Sequence, residues 1–118
     1  MILVDTSVWV DHLRRRNAAL ADRLGRGEVV CHPFVIGEIS LGSLKNRDEV
    51  LKLLSELPMA SVVPHGEVLA LVHRLDLAGR GVGWVDVHLI ASAVVDRLRL
   101  WTLDRRLASV APAVTVSV

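Results

Sequence analysis

The chain has little of what several common kinds of site require. Its 118 residues include one cysteine, one phenylalanine, three tryptophans and no tyrosine. A lone Cys31 excludes an internal disulfide and a thiolate metal centre. Set in Val29-Val30-Cys31, it reads as a small core residue. With Phe34, Trp9, Trp84 and Trp101 as the only aromatics, an extended base-stacking platform is excluded as well. Lysine is confined to Lys45 and Lys52, so most positive charge sits on arginine, whose forked head suits phosphate and carboxylate. A net charge of +1 predicts no polyanion partner by itself. Every apolar run is interrupted by Asp, Glu or Arg before it reaches the length of a membrane span. Asp5 also arrives too early for a signal peptide. The expectation is a cytoplasmic protein with no membrane partner.

What the chain has in excess is apolar. Hydrophobic residues make up 52% of it, which predicts either a surface covered by a partner or second copy, or a lean α/β core. Short β-branched segments that do not alternate fall at 2–4, 29–31, 61–63, 100–103 and 114–116. Strands of that kind belong to a sheet covered on both faces. Helical stretches fall at 7–16, 18–26, 33–44, 47–56, 65–78 and 86–97, with a short one at 104–109. Pro33 suits a first helical turn, and Gly25 and Gly27 suit a helix end. The alternation predicts a single α/β domain over 1–118: a mainly parallel central sheet of about five short strands between helical layers. Its functional crevice would lie beyond the carboxyl ends of the strands.

Most of the thirteen acidic residues lie among basic or polar neighbours and read as solvated helix faces. Four do not. Asp5 ends Ile2-Leu3-Val4, and Asp104 ends Leu100-Trp101-Thr102-Leu103. Glu38 lies on or beside the apolar stripe of Phe34-Val35-Ile36-Gly37-Glu38-Ile39, and Asp86 has Leu89, Ile90, Ala93 and Val94 at helical spacing. Asp5, Asp86 and Asp104 each read alone as a helix cap, and Glu38 as a partly exposed helix residue. Together they can converge on one crevice, and clustered carboxylates repel unless protons or cations intervene. Oxygen ligands without His or Cys suit Mg²⁺ or Mn²⁺, ions that support phosphodiester chemistry.

On these residues the chain resembles a known family. MILVDTSVWVDHLR, VIGEISLGSL, GWVDVHLIASA and TLDRRL are similar, in order and over essentially the whole chain, to the motifs of PIN-domain ribonucleases, specifically the VapC toxins of bacterial toxin–antitoxin pairs. The resemblance implies a Mg²⁺- or Mn²⁺-dependent endoribonuclease that cuts structured RNA such as tRNA or rRNA and is neutralised by a cognate antitoxin. It places the acidic quartet of catalysis and metal binding on Asp5, Glu38, Asp86 and Asp104, with Ser7 and Thr102 as supporting hydroxyls. Resemblance and apolar surplus together suggest a homodimer. One departure stands out: where many relatives carry a further acid and then an aromatic, this chain has Arg106 and Leu107, a more basic fourth corner. Arg105 and Arg106, directly after Asp104, are candidates for contact with substrate phosphate.

The five histidines show no spacing for zinc, although His12 and His88 lie near the acids. Two other readings compete. A phosphoacceptor receiver domain would need an acid pair after the first strand, an Asp after the third and a closing lysine; the chain has Asp5 alone, Val63-Pro64-His65, and lysines only on middle helices. A catalytically degenerate PIN-like module that binds RNA or protein would retain the fold without the turnover.

Overall fold

The computed structural model describes residues 1–116. In chain order the elements are β1 (Ile2–Val4), α1 (Thr6–Arg15), α2 (Ala18–Gly25), β2 (Val29–Val30), α3 (Pro33–Ser40), α4 (Arg47–Ser55), α5 (His65–Arg74), α6 (Trp84–Val95), β3 (Arg99–Trp101), α7 (Arg105–Val110) and β4 (Thr115–Val116). The sheet is parallel throughout, in the order β2-β1-β3-β4. Ile2, Leu3 and Val4 are all buried, so both faces of the central strand are covered. From β1 the chain moves to one side to form β2, then returns through α3, α4, α5 and α6 to place β3 on β1's other side. The connections thus reverse direction between β1 and β3, which opens a crevice above their carboxyl ends.

Among the described residues the sheet has four strands rather than about five. The expected strand over 61–63 does not form; just before it, Met59 makes one isolated bridge to Cys31. Its backbone groups find other partners. Ser61 N–H donates to Asp96 Oδ2 at 2.7 Å, and the Ser61 carbonyl accepts from Ser92 Oγ at 2.6 Å. Side chains of α6 and the residue after it occupy the groups that a ladder would have used. Arg99, which reads in sequence as a solvated residue, donates to the carbonyls of Ala113 and Thr115 at 3.0 and 3.1 Å, and so ties down β4. Cys31 is fully buried, and burial pushes its thiol up to about 11, which makes it an inert core residue.

Beneath the crevice lies a buried histidine. His32 caps α3: its Nδ1 accepts from the Phe34 N–H at 3.0 Å. Its Nε2 lies 3.1 Å from Ser92 Oγ, whose own proton goes to the Ser61 carbonyl. Only one arrangement satisfies all three bonds, with a neutral ring protonated on Nε2. Burial, aided by neighbouring His88, lowers its pKa to about 4. The relay joins α3, which carries Glu38, to α6, which carries Asp86.

Ser92→Ala strands the buried His32 N–H and the Ser61 carbonyl, and should cost about 1–3 kcal/mol in urea denaturation. His32 stays neutral in the fold and gains its proton in the unfolded chain, so its share of stability should fall as pH drops from about 6.5 toward 4. His32→Gln should flatten that decline.

Candidate active site

The crevice is organised around one oxygen. Asp5 begins α1 as its N-cap, and its Oδ2 accepts from Ser7 N at 3.4 Å, Ser7 Oγ at 2.6 Å and Thr102 Oγ1 at 2.7 Å. Each hydroxyl then accepts a backbone N–H from the exit of β3: Leu103 N donates across to Ser7 Oγ at 3.0 Å, and Asp104 N to Thr102 Oγ1 at 2.9 Å. The pairing of Val4 with Trp101 makes this possible, because it sets Asp5 beside Thr102. Asp5 is only 4% exposed, so these donors stand in for the water it has lost.

The other three acids are held in the same manner. Asp104 caps α7, its Oδ1 accepting from Arg106 N at 2.8 Å and Leu107 N at 3.2 Å. Glu38 Oε1 accepts from Thr6 Oγ1 at 2.7 Å. Asp86 differs from its reading as a cap. Gly83 is the N-cap of α6, and Asp86, three residues on, turns back so that its Oδ2 accepts from Gly83 N at 2.9 Å. Glu38 is exposed, one residue short of the buried pair Val35 and Ile39, and so lies beside the core stripe of α3 rather than on it. In every case one carboxylate oxygen is bound and the other accepts no hydrogen bond from the described residues.

Asp86 registers the company it keeps. Burial raises its carboxyl above the ordinary value, the Gly83 N–H opposes that, and the charges of Asp5, Asp104 and Glu38 raise it further. Yet no group of three or more His, Cys, Asp or Glu side chains among the described residues is already gathered to hold a metal ion. The charges of Asp5, Asp104 and Glu38 all reach Asp86, so the four acids share one crevice without forming a closed ligand set. Thr6 and Gly83 were missed in sequence. The three-residue spacing from Gly83 to Asp86 is a capping signal that could have found the second; nothing in the sequence singles out Thr6.

The histidines serve the fold. His12 Nδ1 accepts from Asn17 N at 3.0 Å where α1 gives way to α2. His88 is buried with its ring against Phe34 and Trp84, at centroid distances of 4.6 and 4.9 Å. Arg105 and Arg106 stand exposed at the start of α7, with no ion pair among the described residues.

A parallel sheet that brings acids on α3, on α6 and at the exits of β1 and β3 to one crevice is the architecture of a PIN domain, and the PIN-domain family model matches residues 2–112. The chain belongs to that family. Two curated relatives, both named Ribonuclease VapC32, come from Mycobacterium tuberculosis strains CDC 1551 / Oshkosh and ATCC 25618 / H37Rv. Each is 56% identical over 108 residues, spanning 91% of this chain and 87% of the relative. Within the PIN domains the chain is therefore a member of the VapC ribonucleases.

The raised Asp86 carboxyl has a measurable consequence. The folded chain holds this proton to higher pH than the unfolded chain, so Asp86 destabilises the metal-free protein increasingly as pH rises from about 3.9 through the raised value. Asp86→Asn retains an acceptor for Gly83 N–H and removes the charge. Melting curves in a chelator should show the variant more stable than the parent at pH 7, with the difference gone by about pH 4.

Proposed function

We propose that residues 1–118 form a single PIN domain that acts in the cytoplasm as the toxin of a toxin–antitoxin pair. It is an endoribonuclease dependent on Mg²⁺ or Mn²⁺, cleaving structured RNA such as tRNA or rRNA and neutralised by a cognate antitoxin. The observation that carries this reading is the quartet itself, in which each acid has one anchored oxygen and one left open to the crevice. Such a set of hard oxygens with no nitrogen or sulfur ligand suits Mg²⁺ or Mn²⁺. Asp5, Glu38, Asp86 and Asp104 would hold the ion. When bound, it supplies charge neutralisation at the phosphodiester and a more acidic water. Ser7 and Thr102 fix the direction of Asp5, while Arg105 and Arg106 meet the substrate's phosphates.

Two apolar surfaces suit the partners. A groove of about 390 Å³ between α1, α2 and α4 is lined by Trp9, Leu13, Leu24, Val50, Leu54 and Leu57. Trp9 Nε1 is buried there with no acceptor among the described residues. An apolar antitoxin segment would fill it. On the second surface, Val94 and Val95 of α6 are exposed, and Glu67 and Arg74, two helical turns apart on one face of α5, line the same groove. Packed on its two-fold mate, α5 would set Glu67 of each copy against Arg74 of the other, an isologous homodimer.

Asp5→Asn, Glu38→Gln and Asp86→Asn should each lower metal-dependent RNA cleavage at least about a hundredfold while leaving the protein folded, because ligands of one site act as a unit. Cleaved-end mapping after induction reads the loss. Full activity in any one variant removes that residue from the site; no activity in the parent leaves the degenerate binding module. For assembly, Glu67→Arg should shift sedimentation toward monomer, and adding Arg74→Glu should restore the dimer.

A further inference from the structure

The loop between α5 and α6 runs Gly79-Arg80-Gly81-Val82-Gly83, and two of its glycines adopt left-handed backbone, Gly79 at φ +72° and Gly81 at φ +78°. Their surroundings differ. A methyl group added to Gly79 would meet nothing within 4 Å. One added to Gly81 would lie 3.0 Å from Arg106 Nη1, 3.2 Å from Arg106 Cδ and 3.5 Å from Arg106 Cζ. The arginine's stem and head therefore lie across the bare α-carbon of Gly81, in space that any other residue would fill.

Arg106 is tied to two of the four acids. Its backbone N–H donates to Asp104 Oδ1 at 2.8 Å. Its side chain rests on the loop whose Gly83 N–H holds Asp86 Oδ2 at 2.9 Å. No acid neutralises it among the described residues. A free surface arginine has many rotamers to lose on gripping an anion, whereas one laid on a flat backbone seat has already lost part of that freedom.

We infer that Gly81 is a positioning residue for the RNA substrate, its missing side chain forming the seat that holds Arg106 in place for a backbone phosphate at the Asp86–Asp104 side of the crevice. This rests on the nuclease reading and adds a device to it: the more basic fourth corner of this chain is built by two residues, Arg106 and the glycine beneath it.

The test is binding of a single-stranded RNA oligonucleotide in a chelator, measured across salt concentration for the parent, Arg106→Ala, Gly81→Ala, Gly79→Ala and the double variant Gly81→Ala/Arg106→Ala. Arg106→Ala should weaken binding about fivefold and reduce the salt slope by about 0.7, the loss of one phosphate contact to a single strand. Gly81→Ala should reproduce much of that loss, and the double variant should be no weaker than Arg106→Ala alone. Gly79→Ala introduces the same kind of backbone strain without the contact, so its affinity should stay within about twofold of the parent. Should Gly81→Ala fail to fold, Gly81→Asn brings the same Cβ in a residue that tolerates positive φ, with Gly79→Asn as its control. If Arg106→Ala loses affinity while Gly81→Ala matches Gly79→Ala, or if the two losses multiply in the double variant, the seat is refuted and the nuclease reading stands. If Arg106→Ala leaves affinity and slope unchanged, Arg106 does not touch phosphate and the seat falls with it. Loss of the nuclease reading itself shows separately, as a parent protein that does not cleave RNA when metal is supplied.

Discussion

Asp5 Oδ2 is the point on which the crevice depends. A nearly buried carboxylate at the end of a central strand would be costly to desolvate if it stood unsatisfied. Here one oxygen takes hydroxyl donors from Ser7 and Thr102, and those hydroxyls take the N–H groups of Leu103 and Asp104. Capping, pairing of strand exits and orientation of an acid are then a single set of bonds. Because each hydroxyl has one proton and both go to Asp5, the 3.3 Å approach of Ser7 Oγ to Thr102 Oγ1 is a consequence of their shared acceptor. Losing either hydroxyl would free Asp5 to turn and loosen the turn that presents Asp104.

The same economy recurs further from the sheet. Capping residues ordinarily need only accept the first N–H groups of a helix. In this chain Asp104 does so with one oxygen and keeps the other for the crevice, and Asp86 does so by reaching back to Gly83. The cap and site readings that the sequence poses for Asp5, Asp86 and Asp104 are therefore compatible in one side chain, as the proposed function requires. A cap is what aims the unbound oxygen. His32 extends the arrangement into the core, where its two nitrogens bind the start of α3 and the middle of α6 together.

Much of this was legible beforehand, for a physical reason in each case. Runs such as Ile2-Leu3-Val4 and Leu100-Trp101 do not alternate, because both faces of their strands are buried, and that pattern gives the parallel sheet. Asp5 and Asp104 stood out because an acid directly after such a run sits where the strands end. The stretch 61–63 misled because it has strand composition, while its backbone partners, Ser92 and Asp96, lie more than thirty residues away. No local pattern carries that information. For Glu38 the sequence leaves a place on or beside the core stripe open, because one step along a helix is 100°, and only the packing of Val35 and Ile39 decides which side faces inward. Arg99 and Thr6 act through long-range bonds to carbonyls and to a carboxylate, and polar surface residues look alike until folded.

The divided duty of the acids also bears on how such a gene decays. An Asp codon becomes an Asn codon by one base change, and asparagine still offers an oxygen to Ser7 and Thr102, to Gly83, or to the first turn of α7. The bonds that shape the crevice survive while a negative charge is lost. With the quartet acting as proposed, chemistry would lapse in a single step that leaves the outer surface untouched. A silenced copy of this chain would then persist as a folded decoy, competing with active copies for the proposed antitoxin, rather than disappearing by unfolding and proteolysis.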